Sequence, residues 1–257
     1  MFIGTVTPNI LRASTLRAAI ISDIHSNLEA LNAVLSQIKK EQIDKIVCLG
    51  DIIGYGPKPN ECVSLVKEVC AQILLGNHDA ACVNKSELLF FNRFAKEAIE
   101  WTHSVIEEKN LDFLANLDLK GFEDNIFFVH SNPYSPQSWD YILSLDDAVF
   151  NFSKFKEQVC FIGHSHQPII FIESNDQEYS AVESSEIEIQ PGFRYIINVG
   201  SVGQPRDKNP AAAFGILDTV NKAYELIRVG YDVEKTRRDM INAGLPDFLA
   251  NRLLEGK

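Results

Sequence analysis

Five apolar, strand-type runs in this chain each stop at a side chain able to ligate a metal, and that repetition limits the possible folds more than any other feature. They are Ala19-Ile20-Ile21-Ser22 before Asp23-Ile24-His25, and Ile46-Val47-Cys48-Leu49-Gly50 before Asp51. Ile73-Leu74-Leu75-Gly76 precedes Asn77-His78-Asp79, Ile126-Phe127-Phe128-Val129 precedes His130, and Val159-Cys160-Phe161-Ile162-Gly163 precedes His164-Ser165-His166. Taken singly, an Asp or Asn after a strand commonly caps the next helix, and Gly-Asp is ordinary turn chemistry. Taken together, the five ends carry Asp23, Asp51, Asn77 and five of the six histidines. In α/β proteins ligands bind outside the carboxyl ends of strands, so a shared site is the economical explanation.

The rest of the chain supplies the frame for such a site. Residues 17–22 read as a buried strand, 26–40 as an amphipathic helix with Leu28, Leu31, Leu35 and Ile38 on one stripe, and 45–49 as a second strand. That is a βαβ unit, whose default pairing is parallel. Gly54-Tyr55-Gly56-Pro57-Lys58-Pro59 is a turn-rich loop before a helix over 60–69, and residues 72–75 form a third strand. Residues 86–116 carry no strand signal, while Phe91, Phe94, Ala98, Trp101 and Val105 recur at helical spacing. A helical insertion over about 82–119, packed beside or over the strand ends, is expected there. His103, off that stripe, reads as a surface histidine. A polar and aromatic loop through Trp139 and Tyr141 follows the strand over 126–129. From residue 159 the texture is that of an antiparallel sheet, with short strands at 169–172, 185–189, 194–199, 212–217 and 223–229. Residues 232–254 return to helix, broken by Gly244-Leu245-Pro246, and residues 1–16 read as a loosely held extension. At 257 residues, one domain spanning 1–257 with insertions is expected.

Composition narrows the chemistry. No apolar stretch approaches the roughly 20 residues needed to span a bilayer, and Met1 to Ser14 lacks a leader-type apolar segment, so a cytoplasmic protein without a membrane partner is expected. The five cysteines are an odd number, Cys48, Cys70 and Cys160 lie in or beside apolar runs, and no CxxC or CxxH spacing occurs, which argues against a structural zinc. A net charge of -11 opposes duplex nucleic acid as a partner, but not a small phosphate substrate at a metal site. Imidazole and carboxylate donors without thiolate suit Mn, Fe, Zn, Ni or Co better than Ca or Mg. Two ions that share one ligand take about seven protein donors, which matches the inventory here.

Asp23-x-His25, Gly50-Asp51, Gly76-Asn77-His78-Asp79, His130 and Gly163-His164-x-His166, in that order, resemble the five motifs of the calcineurin-like metallophosphoesterase superfamily. The resemblance implies an α/β, four-layer α/β/β/α sandwich with a dinuclear centre, Mn or Fe favoured. Asp23, His25, Asp51 and His166 would hold one ion, and Asp51, Asn77, His130 and His164 the other. A narrower resemblance, to small prokaryotic phosphoesterases grouped with diadenosine tetraphosphatase-related and YfcE-like proteins, rests on Gly50-Asp51-x-x-Gly54-Tyr55-Gly56-Pro57, on Gly200-Ser201-Val202-Gly203-Gln204-Pro205-Arg206, and on the tail from Gly244 to Leu254. Two departures stand out. Protein Ser/Thr phosphatases of the superfamily carry Asp and Arg where this chain has Gly54 and Tyr55, which weakens a phosphoprotein substrate. Ser131-Asn132 stands where the narrower group often has Gly-Ser or Gly-Thr.

The activity implied is hydrolysis of small phosphomonoesters or phosphodiesters, of nucleotide type, by a hydroxide held between two ions about 3.5–4 Å apart. His78 would be the general acid on the leaving oxygen; its alternative is a helix-start histidine bonded to Asp79. Arg206, the one basic residue in its glycine-rich loop, is balanced between a bidentate phosphate contact and a surface pair with Asp207. Tyr55, Phe90, Trp139 and Tyr141 are candidates to stack a nucleobase. A dinucleoside polyphosphate hydrolase is the narrower alternative. A protein-binding scaffold without competent catalysis, as in a retromer subunit of this fold, is the alternative of another class, and retention of His78 with every ligand argues for the enzyme. Oligomeric state is left open.

Overall fold

The computed structural model describes residues 16–257, and most of the expected N-terminal extension lies outside the described residues. Leu16 is not loose: it is buried, and its N–H donates to the Thr219 hydroxyl at 2.8 Å.

Two six-stranded mixed sheets form the frame. The first contains β1 (Arg17–Ile21), β2 (Lys45–Cys48) and β3 (Gln72–Ile73), with β9 (Glu186–Glu188), β11 (Ala212–Asp218) and β12 (Ala223–Val229), in the order β3-β2-β1-β11-β12-β9. The second contains β4 (Lys120–Glu123), β5 (Ile126–Val129), β6 (Val159–Ile162), β7 (Ile169–Glu173), β8 (Tyr179–Val182) and β10 (Arg194–Asn198), in the order β4-β5-β6-β10-β7-β8. β1, β2 and β3 are parallel, as are β5, β6 and β10, so the strand ends that carry the candidate ligands leave the same edge of each sheet.

Period-two alternation places the layers. In β1, Ala18 and Ile20 join Val47, Leu49, Phe128, Phe161 and Ile197 between the sheets. Ala19 and Ile21 face the other way, onto α1 (Leu28–Ile38) and α2 (Pro59–Val69) through Leu31, Val34, Val63 and Val66. The outer face of the second sheet presents Phe127, Val129, Cys160 and Ile162 to Ala148 and Phe152 of α6 (Leu145–Phe152). Both strand runs read as continuous apolar stretches because both of their faces are covered. The result is the expected α/β/β/α sandwich.

The stretch between β3 and β4 is helical, with α3 (Asn77–Val83), a 3-10 turn over Lys85–Phe90, α4 (Arg93–Val105) and α5 (Glu108–Ala115). Ala95 and Ala98 of α4 pack with Tyr55 against α7 (Val233–Asn242) and α8 (Asp247–Arg252), which Gly244 and Pro246 separate. Several elements differ from expectation. β4 and β8 arise in stretches with no strong strand pattern, Lys-Gly-Phe-Glu and Tyr-Ser-Ala-Val. α6 was signalled by a capping box, Ser144 with Asp147, that the aromatic loop around it obscures. The second half is not purely antiparallel, because β10 inserts between β6 and β7 and pairs parallel with β6. His103 is half-buried, and its Nδ1 meets the Cys82 carbonyl at 3.1 Å.

Candidate metal centre

The loops after β1, β2, β3, β5 and β6 converge, and their backbones hold one another. Asp23 N–H donates to the Gly50 carbonyl at 3.1 Å, His25 N–H to the Asp51 carbonyl at 2.9 Å, and Gly163 N–H to the His130 carbonyl at 2.9 Å. His164 N–H reaches across to Asp23 Oδ2 at 3.0 Å, which ties the two sheets together at the site. The ligating side chains could not converge from relaxed strand geometry. Asp23, His25, Asp51, His164 and His166 all have positive φ, between 50° and 65°, with Tyr55 at 55° and Trp139 at 57°. Such conformations cost a non-glycine residue about 1–2 kcal/mol each, and they persist only where the surroundings over-determine them. Gly76 shows why: a Cβ there would collide with the Asp51 carboxylate.

Two overlapping groups of donors result. The candidate ligand atoms of Asp23, His25, Asp51 and His166 lie within 4.8 Å of one another, and so do those of Asp51, His130 and His164. Asp51 belongs to both. Asn77 closes the second group, with Oδ1 3.3 Å from His130 Nε2. All seven are buried.

Each of three imidazoles has one nitrogen fixed by a carbonyl, which makes that nitrogen the donor and leaves the other as a lone pair. His25 Nδ1 meets Ile53 O at 3.1 Å, His166 Nδ1 meets Gln204 O at 2.6 Å, and His164 Nε2 meets Trp139 O at 2.8 Å. The His25 and His166 lone pairs then face each other across 3.0 Å, and Asp23 Oδ1 beside them is buried without a hydrogen-bond partner. A donor set of convergent lone pairs and buried carboxylate oxygens fits metal cations and little else.

Charge within the cluster follows the same logic. Burial holds His164 down at about 3 and His78 at about 4, while the Asp51 carboxylate pulls both the other way. Burial would also depress His130, yet the carboxylates of Asp51 and Asp23 keep it up at about 9. Asp23 and Asp51 stay well below the usual carboxylate range, because the surrounding imidazoles outweigh their desolvation.

His78 is buried at the start of α3, its Nδ1 has no hydrogen-bond partner, and its backbone N–H donates to Asp51 Oδ1 at 2.8 Å. Asp79 is not its partner. That carboxylate accepts from the N–H groups of Ile52, Ile53 and Gly76 at 3.0 to 3.3 Å, and so clamps the loop that carries Asp51. The Asp79 carboxyl is pushed up to about 7 by burial and by the neighbouring Asp51. Sequence reasoning considered Asp79 only as the alternative partner of His78, which the structure does not show, and missed this clamp. It also missed the three carbonyl locks, which belong to backbone and leave no signature in side-chain identity.

Arg206 does not pair with Asp207, which is bonded to Arg228 instead. Its guanidinium donates to Gln204 Oε1 at 2.8 Å and to the Tyr55 hydroxyl at 3.4 Å, and lies 5.8 Å from the centre of the Tyr55 ring. Tyr55 packs on His78 at 4.4 Å and on His25 at 4.7 Å, and Tyr141 stacks on His164 at 4.1 Å. The Phe90 side chain lies outside the described residues.

A model of the calcineurin-like phosphoesterase superfamily domain matches residues 16–222. An uncharacterized protein of Methanocaldococcus jannaschii is 42% identical over 245 residues, 93% of this chain and 98% of that one. The crystal structure of a metallophosphoesterase from Sphaerobacter thermophilus superposes with a TM-score of 0.83 at 37% identity, over 95% of this chain and all of the other. A symmetrical bis(5'-nucleosyl)-tetraphosphatase of Psychromonas ingrahamii is 41% identical over 64 residues, 23% of each chain. No helix among the described residues is long and apolar enough to cross a membrane.

Proposed function

Because the chain belongs to the calcineurin-like phosphoesterase superfamily, we infer that it is a dinuclear metal-dependent phosphoric ester hydrolase acting on small, nucleotide-type monoesters or diesters. The observation that carries this reading is Asp51, a buried carboxylate common to two groups of convergent donors. Asp23, His25, Asp51 and His166 would hold one ion, and Asp51, Asn77, His130 and His164 the other. When bound, such a pair supplies Lewis-acid chemistry: it neutralises phosphoryl charge and acidifies the attacking water.

The protein's own groups then have distinct tasks. The carbonyl locks hold the imidazoles in one tautomer, so no reorganisation is needed when a ligand arrives. His78 lies outside both donor groups and lines the adjoining cavity; its Nδ1 is buried against Gly54, so its other ring nitrogen, Nε2, would deliver the proton to the departing oxygen. Its depressed proton affinity means that the proton has to arrive with, or be retained by, the bound phosphate anion. Arg206, held by Gln204 and Tyr55, would contact phosphate oxygens. The helical stretch over about 82–119 contributes Glu87, Phe91, Asn92 and Ala95 to a cavity wall beside the donors. A scaffold role would leave His78 without a task.

A second reading, hydrolysis of dinucleoside polyphosphates, has in its favour the short match to the tetraphosphatase. Elemental analysis of the purified protein, with rates on p-nitrophenyl phosphate, bis-p-nitrophenyl phosphate and a nucleotide panel in added Mn or chelator, tests the inference. Close to two transition-metal ions per chain and chelator-sensitive hydrolysis are expected. Chelator-insensitive rates or absent metal would overturn it.

A further inference from the structure

The cavity that adjoins the donor cluster has a volume of about 510 Å³, inside the range of about 300–1,000 Å³ for small-molecule sites. Asn77, His78 and His164 belong to its lining, so the cavity opens onto the donor cluster and the acid proposed for the leaving oxygen. The rest of the lining includes aromatic rings such as Phe91, Trp139 and Tyr141, the amides of Asn92 and Gln137, and the carboxylate of Glu87, beside Ala95 and Ser138. Among the described residues, no lysine or arginine lines it. Glu87 is half-buried, and among the described residues no lysine or arginine forms an ion pair with it.

Resting on the phosphoesterase reading of the adjoining cluster, we propose that this cavity receives the leaving group, that the leaving group is an uncharged aromatic alcohol of the nucleoside class, and that Glu87 excludes leaving groups that carry phosphate. Ring faces of Trp, Tyr and Phe stack any nucleobase. The amides meet the donors and acceptors of a base edge, and Glu87 accepts from an exocyclic amine or a sugar hydroxyl. A phosphate beside Glu87 would meet its carboxylate with no lysine or arginine of the described lining to compensate it, an arrangement that discriminates by repulsion. The reaction is ester plus water giving orthophosphate plus nucleoside. The bond between phosphorus and the nucleoside oxygen breaks, and its electron pair leaves on that oxygen, which takes up a proton. The water oxygen forms the new bond to phosphorus and gives up a proton.

Comparison of AMP with ADP isolates the effect, because their leaving groups, adenosine and AMP, differ by one phosphate. Intrinsic reactivity favours ADP, whose departing oxygen is a phosphate and a far weaker base than an alkoxide. A kcat/KM for AMP at least tenfold above that for ADP is therefore a property of the cavity, and it is the expected result. Glu87→Lys should shrink that ratio at least tenfold. Calorimetry on chelator-treated protein adds a readout that needs no turnover: adenosine should bind, and Tyr141→Ala should weaken it about tenfold. ADP turned over as well as AMP, a ratio unchanged in Glu87→Lys, or no adenosine binding would each overturn the proposal while leaving the phosphoesterase reading intact. Failure to hydrolyse any ester, p-nitrophenyl phosphate included, would overturn that reading and the leaving-group assignment with it.

Discussion

The Nε2 atoms of His25 and His166 stand 3.0 Å apart, and each ring is turned so that its other nitrogen meets a backbone carbonyl. Two facing lone pairs in a buried, water-poor site repel unless a cation or a proton lies beside them. Metal binding should therefore be a large part of the protein's stability. Ions at a hundredfold excess over Kd stabilise by about 2.7 kcal/mol per site. For a chain of this size that corresponds to a Tm rise of roughly 5–10 °C for each ion bound. Scanning calorimetry in chelator and in Mn measures it, and coincident transitions would contradict the assignment.

Asp51 is the only side chain common to both donor groups. Asp51→Asn keeps the shape but removes the charge that two cations would share. Metal content should fall below two per chain. Turnover should drop by more than the roughly 10–100-fold typical of changes in the outer hydrogen-bond partners of a metal site. Wild-type occupancy together with wild-type turnover would show that Asp51 does not bridge.

How much of this was legible beforehand depended on whether side chains or backbone carried the information. Asp23, His25, Asp51, Asn77, His130, His164 and His166 could be read because side-chain chemistry at strand ends is written directly in residue identity, and they converge. The sheets followed from apolar runs whose two faces are both covered. The left-handed conformations that make convergence possible were not legible at Asp23, His25, Asp51, His164 and His166, since no glycine marks them. Nor was Asp79's grip on three backbone N–H groups, because its partners are peptide units 3, 26 and 27 residues away. Arg206 resolved only in three dimensions, where Arg228 rather than Arg206 takes Asp207.

The buried imidazoles also set a pH dependence for the metal-free protein. Burial lowers His25, His78, His164 and His166 below their ordinary value of 6.5. Between about pH 4 and 6.5 the unfolded chain therefore binds protons at these four positions that the folded chain refuses, and stability rises with pH there. Asp79 runs the other way, because its folded pKa of about 7 keeps a proton that the unfolded chain has lost. His130, held at about 9, keeps its proton in the fold while the unfolded ring begins to lose it near pH 6.5, so it too runs the other way at the top of this window. The four lowered imidazoles outweigh Asp79 and His130 and give the sign: the Tm of chelator-treated protein should fall steadily from pH 6.5 to pH 4.5. A flat or rising Tm over that range would mean that these rings are not neutral in the fold.

His78 adjoins Asn77 and lines the cavity beside the donors, yet it belongs to neither donor group. If it protonates the departing oxygen, its importance must scale with how basic that oxygen is. p-Nitrophenolate departs readily without a proton, whereas the alkoxide of a ribose or glycerol ester does not. General acid catalysis contributes about 10²–10⁴-fold, so His78→Ala should lose most of that on alkyl esters and distinctly less on p-nitrophenyl esters, with metal content unchanged. A ligand role predicts a different pattern, with metal lost and both ester types impaired alike. Rates on a series of esters with graded leaving-group pKa, measured beside metal content, separate the two. The dependence of rate on leaving-group pKa should be steeper in His78→Ala than in the wild type, because without the acid the full negative charge develops on the departing oxygen; equal slopes would remove His78 from the acid role.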